Sequence, residues 1–434
     1  MSASLPSRVT VRVARGDDVA DAGALTAEAY LADRLVPDGD PYAEELRDAR
    51  RRADEATLLV AVVPAGGSGV VVGTVTLAPY GTSYAEVAQP GEVELRMLAV
   101  APEARRRGIA EALVVAALRE AVALGAAHVV LSTLDAMEVA HRLYERLGFE
   151  RRPERDWGHD EVHLRVLTWS APAPPGARRE IASWPPVHVV DVDGWRVGLS
   201  GGVTRRANSA LPAGAADPDL TLSRVEAVYA LEGQPSVVRV GRSASTELLA
   251  ALDRRGYAWT AQTDVLVLDP LRPQAPSSAS EGEVRVAKTP DAAWFALWSG
   301  TKPSRTARRD TDTDADADAD ADEAMRRAIL AGADASYLSA STGADRRTIG
   351  VLRAAFVDDW VALSCLVVDP AVRGLGWGRE LTRQALLVAH ERGARRAFLQ
   401  VESENAVAST LYASLGFRPA DRYVYRERDL DVTG

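Results

Sequence analysis

Two arginine- and glycine-rich turns in the sequence have the composition of an anion-binding site. The stretch "DPAVRGLGWG", residues 369–378, leads from an apolar segment into a helix-forming one. The first amides of a helix have no backbone partner, and glycine lets a ligand approach them closely. The guanidinium of Arg373 adds a group that pairs with phosphate through two hydrogen bonds. This glycine turn is therefore predicted to bind a phosphorylated ligand at a helix N-terminus.

The spacing of the glycines separates this turn from two common nucleotide-binding turns. Gly374, Gly376 and Gly378 make G-x-G-x-G, whereas the dinucleotide fingerprint requires G-x-G-x-x-G. A P-loop requires G-K-[ST], and Arg379 follows Gly378 here. The simplest alternative is a plain helix start whose glycines serve close packing.

The glycine turn occurs twice, at a constant offset of 268 residues. Residues 98–149 align without a gap with residues 366–417, and 19 of these 52 positions are identical. The identities include Arg105 with Arg373 and Gly108 with Gly376. Similar helix composition would not keep these residues in register, so we interpret the pattern as an internal duplication.

The duplicated stretches resemble the GNAT superfamily of N-acetyltransferases. "VVDPAVRGLGWG" matches its V-x-P-x-x-R-G-x-G-x-G signature, and "ENAVASTLYASLGF" matches its later N-x-x-A-x-x-L-Y-x-x-L-G-F helix. The resemblance covers modules 1–170 and 283–430. It implies an α/β (α+β) fold of tandem mixed, twisted sheets flanked by helices, each splayed between two parallel strands to admit acetyl-CoA.

The resemblance also implies which residues bind acetyl-CoA, the acetyl donor. Amides of the glycine turn would hold the pyrophosphate, and the strand before the turn would pair with the pantetheine arm. Asn405 matches a family asparagine that contacts this arm, whereas the first copy has Met137 there. The implied residues are Leu366, Val367, Val368, Arg373, Gly374, Leu375, Gly376, Trp377, Gly378 and Asn405, and, in the first copy, Leu98, Ala99, Val100, Arg105, Arg106, Arg107, Gly108, Ile109 and Ala110.

Acetyl transfer to an amine needs a base for the amine proton and an acid for the departing thiolate. The resemblance implies that the acid is Tyr412, and Tyr144 in the first copy; a core aromatic residue is the alternative for each. Glu94 stands where many relatives carry the base, but the matching residue of the second copy is Ala362. The second copy could instead use a water chain. Its polar residues near the expected cleft are Asp359, Gln400 and Glu402.

Two proline-rich stretches, residues 170–180 and 269–283, are predicted to be linkers that leave three modules. The middle module, residues 180–269, follows the element order of the second half of a GNAT module but has no glycine turn. Its segment "GWRVGLSGGVTRRANSALP" resembles part of actinobacterial GNAT-like proteins. We expect a degenerate half-module that pairs with the third module. Arg205, Arg206 and Asn208 would bind a substrate anion or, as we favour, cap backbone groups.

Several features of the whole chain limit the possible functions. The 434 residues carry a net charge of −10, which argues against a general nucleic-acid surface. Apolar runs are too short for a membrane helix, and the N-terminus lacks the order of a signal peptide. The six histidines show no metal-ligand spacing. We expect a cytoplasmic monomer or homodimer without a metal, a membrane partner or a nucleic-acid partner.

Two local features complete the sequence-based expectations. Cys365 is the single cysteine, so an intramolecular disulfide is excluded, and its apolar neighbours predict a buried structural thiol. The stretch "RRDTDTDADADADADEAMRR", residues 308–327, has an aspartate at every second position over much of its length. Mutual repulsion of these charges predicts a disordered loop.

The sequence thus predicts an acetyl-CoA-dependent N-acetyltransferase. Its acceptor would be a primary amine of a small molecule or peptide, and its catalyst the C-terminal module. One alternative is an acyl-CoA-binding pseudo-acetyltransferase with a sensing or scaffolding role, which Met137, Ala110 and Ala362 favour. The other is a tandem acetyltransferase similar to the enzyme of mycothiol synthesis.

Overall fold

The computed structural model describes residues 9–37, 39–64, 69–159, 162–214, 217–272, 282–301, 315–343 and 346–429. Two compact units divide the chain, an N-terminal unit, Met1–Ala171, and a C-terminal unit, Pro172–Gly434. Each unit contains one mixed sheet flanked by helices. The predicted fold class is confirmed.

The N-terminal unit alternates helices with strands. Its strands are β1 (Thr10–Val13), β2 (Thr57–Val63), β3 (Val70–Pro79), β4 (Glu92–Val100), β5 (His128–Leu134), β6 (Glu150–Arg151), β7 (Trp157–His159) and β8 (Val162–Ser170). Its helices are α1 (Gly16–Ala32), α2 (Tyr42–Arg47), α3 (Ala49–Glu55), α4 (Ile109–Ala123) and α5 (Glu138–Arg146). The stretch "AEELRDARRRAD" divides into α2 and α3 at Asp48, whose carboxylate accepts the Arg51 amide and starts α3.

The N-terminal sheet has the strand order β1-β2-β3-β4-β5-β8-β6, with β7 beside β8. β4 and β5 run parallel, whereas β8 returns antiparallel to β5. A single hydrophobic cluster joins α1 and α4 to the sheet through residues such as Leu25, Leu113 and Leu118. Residues of β2 and β3 are buried almost throughout, as expected for apolar strands at the centre of a covered sheet.

The C-terminal unit contains the remaining elements. Its helices are α6 (Ala177–Ser183), α7 (Pro218–Leu231), α8 (Thr246–Arg254), α9 (Ala292–Ser299), α10 (Ala315–Ala331), α11 (Trp377–Glu391) and α12 (Ala406–Ala413). Its strands are β9 (His188–Val192), β10 (Trp195–Leu199), β11 (Ala210–Leu211), β12 (Ser236–Gly241), β13 (Ala258–Leu268), β14 (Glu283–Ala287), β15 (Ala335–Thr342), β16 (Arg347–Val357), β17 (Trp360–Val368), β18 (Arg396–Glu402) and β19 (Arg418–Arg428).

The strands of the C-terminal unit form one sheet in the order β14-β15-β16-β17-β18-β13-β19-β12-β11-β10-β9. In the N-terminal unit β5 pairs with β8, the last strand of the same repeat. In the C-terminal unit β18 pairs instead with β13, and β19 pairs with β12 as well as β13. The middle segment and the third module have therefore exchanged their last strands. Residues 180–269 and 283–430 share one sheet and one compact unit, so the middle module pairs with the third through these strands.

Two segments are more ordered than the sequence suggested. The stretch 170–180 was expected to be a linker, but α6 begins within it and buries Glu180. The aspartate-rich stretch was expected to be a disordered loop, but its residues from 315 onward belong to α10. Alanine is the best helix former, and the last turns of α10 bury Ile329 and Leu330 in the core. Residues 308–314 lie outside the described part of the chain.

The C-terminal sheet is covered on both faces. α11 and α12 pack on one face through a cluster that includes Leu381 and Leu386. α9, α10 and Trp184 pack on the other, where Trp294 and Trp298 are fully buried. The strands that carry the predicted site therefore have a rigid scaffold on both sides.

Candidate active site

The two parallel strands of each unit separate after a few paired residues. β17 and β18 are paired from Trp360 with Arg396 to Leu363 with Leu399. Residues 364–368 continue along β16 on their other side, and residues 400–402 continue along β13. In the N-terminal unit the pairing of β4 with β5 ends at Glu94. Within the described sheets each gap thus leaves strand edges open to an extended ligand, as the resemblance implied.

A β-bulge lies at the same place in both repeats. Met97 on β4 and Cys365 on β17 adopt a left-handed backbone, with φ of 53° and 59°. The pairing register with the neighbouring strand shifts beside each of these residues. On β16, next to β17, the shift lies between Val351 and Arg353, and on β3, next to β4, it lies between Thr74 and Thr76. A bulge leaves a residue outside the regular ladder of hydrogen bonds. The bulge therefore marks the place where β4 and β17 leave the regular ladder, next to the gap.

The glycine turn of the C-terminal unit is open. Gly374 and Gly376 have φ of 81° and 86°, and a Cβ atom at either would meet no described atom within 4 Å. Gly376 is the N-cap of α11, whose first hydrogen bond runs from Glu380 N to Gly376 O. The amides of Trp377 and Gly378 precede this bond and have no acceptor within the helix. An anionic ligand can therefore accept hydrogen bonds from them.

Arg373 connects this turn to the end of β17. Its Nε donates to the Val368 carbonyl at 3.2 Å, and its side chain is exposed. Its terminal nitrogens have no acceptor among the described residues, so they are available to a phosphate. Leu375 is 66% exposed, whereas Trp377 packs beneath the turn in the core.

The N-terminal glycine turn has the same backbone but different side chains. Gly108 has φ of 77°, and Arg106, at the position of Gly374, has φ of 61°. Arg105 donates to the Val100 carbonyl at 3.2 Å, and both of its terminal nitrogens donate to Asp33, at 2.7 and 3.0 Å. A phosphate would therefore have to displace a carboxylate. Arg107 is exposed, and Ile109 and Ala110 pack against the core.

Tyr412 and Tyr144 have matching environments. Tyr412 packs on Phe417 with ring centroids 5.7 Å apart, and Tyr144 packs on Phe149 at 5.5 Å. Both are buried, and burial raises the pKa of each phenol. Tyr412 belongs to the same cluster as Trp377, against which Leu366 and Val368 also pack.

Asn405 is exposed at the N-cap of α12, where its Oδ1 accepts the Ala408 amide at 3.1 Å. This bond fixes the side chain and leaves Nδ2 as a donor. Met137 is the N-cap of α5 and does not cap the helix with its side chain. The two repeats therefore differ in a polar group at the end of the gap.

Glu94 has a structural partner in the N-terminal unit. It is 1% exposed, and its Oε2 accepts the amides of Val87 and Ala88 at 2.8 and 3.1 Å. Burial raises the pKa of this carboxyl group, although the two amides and Arg96 act in the opposite direction. The carboxylate holds the loop between β3 and β4, and this loop covers it.

The base candidates of the C-terminal unit lie in different places. Asp359 lies at the closed end of the parallel pair and binds Arg396 at 2.7 Å, which lowers the pKa of Asp359. Glu402 is exposed and stands opposite Thr263. Gln400 is the first residue of β18 beyond the pairing with β17. Its Nε2 donates to Glu180 at 2.5 Å, a contact that the sequence did not suggest.

Comparisons with known proteins agree with this geometry. A family model described as "Probable histone acetyltransferase Rv0428c C-terminal" matches residues 178–426, more than half of the chain. A second model, described as "Acetyltransferase (GNAT) family", matches residues 25–149. The chain belongs to the GNAT family of acetyltransferases.

GNAT relatives with curated names match only short stretches. "Uncharacterized N-acetyltransferase YobR" of Bacillus subtilis (strain 168) is 40% identical over 70 residues, 16% of this chain and 28% of the relative. "Mycothiol acetyltransferase" of Beutenbergia cavernae is 52% identical over 54 residues, 12% of this chain and 18% of the relative. The chain thus matches less than a third of the length of either.

Solved structures of other GNAT proteins are also similar. A GCN5-related N-acetyltransferase from Kribbella flavida is 17% identical, with a TM-score of 0.44, over 59% of this chain and 96% of that one. A tandem GNAT protein from the clavulanic acid biosynthesis pathway is 17% identical, with a TM-score of 0.34, and the match covers 98% of this chain and 99% of that one. The family assignment rests on the family models.

Three candidate residues of the middle segment have structural roles in this GNAT chain. Asn208 accepts the amides of Ser200 and Gly202 at 2.6 and 2.9 Å, and donates to the Thr204 carbonyl at 2.8 Å. Arg205 pairs with Glu427 at 3.3 Å. Arg206 lies over the ring of Trp184, with its Cζ 5.3 Å from the centroid. Capping explains Asn208, as we favoured.

Three further features concern the cysteine, metal ligands and membrane helices. Cys365 is half-buried, whereas a buried thiol was expected, and it borders the tryptophan-rich cluster. Among the described residues, no three His, Cys, Asp or Glu side chains converge as metal ligands do. Within the same residues, no helix combines the length and apolar character needed to cross a membrane.

Proposed function

We propose that the protein is an acetyl-CoA-dependent N-acetyltransferase, in which the C-terminal unit transfers the acetyl group directly to a primary amine of a small molecule or peptide. The observation that carries this proposal is the open glycine turn at the start of α11. It directly follows a strand whose edge is open at the gap between β17 and β18. An anion-binding turn and an open strand edge suit a ligand with a diphosphate and an amide-bearing arm.

Three parts of the C-terminal unit fit acetyl-CoA. Gly374 and Gly376 leave room for a pyrophosphate, and Arg373 supplies two free terminal nitrogens. Residues 364–368 offer main-chain groups to the pantetheine arm. Acetyl-CoA would supply a thioester that reacts with an amine without a covalent enzyme intermediate.

Tyr412 is the proposed proton donor to the sulfur. Because burial raises its pKa, the phenol keeps its proton at neutral pH and remains a hydrogen-bond donor. Ordinary thiols and phenols have pKa values of about 8.5 and about 10, and burial disfavours the charged form of both groups, so a proton can pass from the phenol to the departing thiolate in the transition state. The amine nitrogen releases one proton as it is acetylated, and this proton restores the phenol. Its position in the cluster of Trp377 and Leu366 supports this role.

We assign the N-terminal unit a non-catalytic part in this proposal. It keeps the bulge and the left-handed glycine, but Asp33 occupies Arg105 and two amides occupy Glu94. The occupied Glu94 argues against catalysis by this unit and so favours acyl-CoA sensing or scaffolding as its second candidate function. The local identity to mycothiol acetyltransferases favours a third candidate, a tandem enzyme of that kind.

The direct test is CoA release from the full chain with acetyl-CoA and a panel of primary amines. Release that requires both substrates supports direct transfer by the C-terminal unit if Tyr412→Phe abolishes it and Tyr144→Phe does not. Saturable acetyl-CoA binding without release across the panel supports sensing and contradicts transfer. Release confined to a mycothiol precursor supports the third candidate.

A further inference from the structure

Four side chains form a buried polar group on one face of the C-terminal sheet, here called the Glu180 cluster: Glu180, Arg239, Gln400 and Tyr423. Glu180 is 2% exposed and Arg239 is 8% exposed. The Glu180 Oε2 atom accepts hydrogen bonds from Arg239 Nη2 and from Gln400 Nε2, the latter at 2.5 Å. The Arg239 guanidinium lies over the Tyr423 ring, with Cζ 3.6 Å from the centroid. The carboxylate is therefore fixed by two partners from different strands.

The Glu180 cluster lies at the gap between the parallel strands. Side chains two residues apart in a strand share a face, so Gln400 faces the same side as Phe398. Phe398 is paired with Ala362, which occupies the position of Glu94 in the repeat. The C-terminal unit thus has no carboxylate on the strand itself. It places one on the same face from α6, outside the repeat.

Helix α6 is anchored at both ends over this face. Near its start, Arg179 pairs with Asp358 at 3.0 Å. At its end, the Ser183 carbonyl accepts a hydrogen bond from Arg353 Nη1 at 2.9 Å, and Arg353 is fully buried. The position of Glu180 is therefore set by the fold of α6.

The contact with Glu180 fixes the orientation of the Gln400 amide. A carboxylate paired with a guanidinium only accepts hydrogen bonds, so Gln400 must present Nε2 to Glu180. Because the amide is planar, Oε1 is then held on the other side of the group. Gln400 is half-buried at the gap. Its oxygen is thus a fixed hydrogen-bond acceptor at the place where the strands separate.

We infer that Gln400 binds the acceptor amine through Oε1, and that Glu180 is a positioning residue that acts through Gln400. This inference rests on the proposed function. A primary amine can donate one N–H group to this oxygen while its lone pair faces the thioester carbon, the orientation that attack requires. The site therefore selects a nucleophile with an N–H donor. Where the first repeat has the carboxylate of Glu94, the second repeat would use the neutral oxygen of Gln400.

The test uses the full chain, acetyl-CoA and four probe amines: tyramine, spermidine, glucosamine and the peptide Gly-Gly-Lys. Gln400→Met keeps the volume and removes the amide. We expect the KM for the acetylated probe to rise about tenfold, the loss of one hydrogen bond, while the Kd for acetyl-CoA is unchanged. Glu180→Gln should raise the same KM. The double variant should match Gln400→Met alone, because Glu180 acts through Gln400.

Arg178→Gln is the matched control, because Arg178 lies on α6 and pairs with Asp358 on the exposed side. If wild type acetylates a probe and the KM of both cluster variants equals that of this control, the inference is wrong. An additive double variant would contradict the positioning role of Glu180. If wild type binds acetyl-CoA but acetylates none of the four probes, the proposed function fails, and the inference fails with it. Gln400→Met keeps the Glu180–Arg239 pair, so it tests the inference even if Glu180→Gln fails to fold.

Discussion

Met97 and Cys365 occupy matching positions of the duplicated strand, and both hold a left-handed backbone that non-glycine residues rarely adopt. The two sequences differ at this position, so the conformation is a property of the fold. Left-handed backbone costs such residues about 1–2 kcal/mol, and it persists where surrounding structure enforces it. Both copies retain it at the opening of the parallel strands, where a ligand would contact the backbone.

The bulge at Cys365 can be tested with two substitutions of opposite effect. Cys365→Gly relieves the backbone strain and should leave both the stability and the acetyl-CoA affinity nearly unchanged. Cys365→Val places a β-branched side chain at positive φ, and should lower the free energy of unfolding by about 2 kcal/mol and weaken acetyl-CoA binding. Urea unfolding and calorimetric titration provide both readouts. Equal affinities for the two variants would show that the bulge is irrelevant to the donor.

The two tyrosines should have unequal effects on turnover. Tyr412→Phe should lower kcat by about a hundredfold, the lower range for general acid–base catalysis, and leave the acetyl-CoA Kd unchanged. Because burial raises the pKa of Tyr412, the phenol keeps its proton up to about pH 10. Wild-type kcat should therefore show no decline from phenol ionisation below that pH. Tyr144→Phe is the control and should keep wild-type kcat. An unchanged kcat for Tyr412→Phe would remove this residue from the chemistry.

The raised pKa of Glu94 predicts a pH-dependent stability of the N-terminal unit. The folded unit binds this proton more tightly than the unfolded chain, so its contribution is fully present below the unfolded pKa, about 4.3. It is lost as the pH rises through the raised folded pKa. The free energy of unfolding of the N-terminal unit, measured by urea denaturation, should decrease over this interval. Glu94→Gln, which still accepts hydrogen bonds, should abolish that pH dependence. If the variant and wild type have the same pH profile, another group causes it.

The sequence was most informative where the structure depends on local contacts. The strand–turn–helix units around Gly108 and Gly376 follow from residue spacing and helix-start chemistry, and both turns have the predicted backbone. The duplication also indicated that two sheets of related order would form. These features depend on neighbouring residues, whose preferences are visible in the sequence.

The sequence was least informative where contacts join distant segments. Glu180 meets Gln400 across 220 positions, and the stretch around Glu180 has the composition of a linker. The exchange of β13 and β19 was not predictable either, because both strands pair antiparallel with their neighbours and the pairing joins segments far apart in the chain. The aspartate-rich stretch shows a third limit, since the helix α10 ends in Ile329 and Leu330, which pack in the core.

The most direct test of the account is calorimetric titration of acetyl-CoA into the full chain and two glycine variants. Gly376 and Gly393 have φ of 86° and 89°, and a Cβ atom at either would meet no described atom within 4 Å. They lie at opposite ends of α11, so Gly376→Glu and Gly393→Glu impose similar strain and the same charge. We predict that Gly376→Glu abolishes acetyl-CoA binding by the C-terminal unit and that Gly393→Glu retains wild-type affinity. Equal affinity of wild type and Gly376→Glu would contradict the claim that the C-terminal glycine turn binds the acetyl donor.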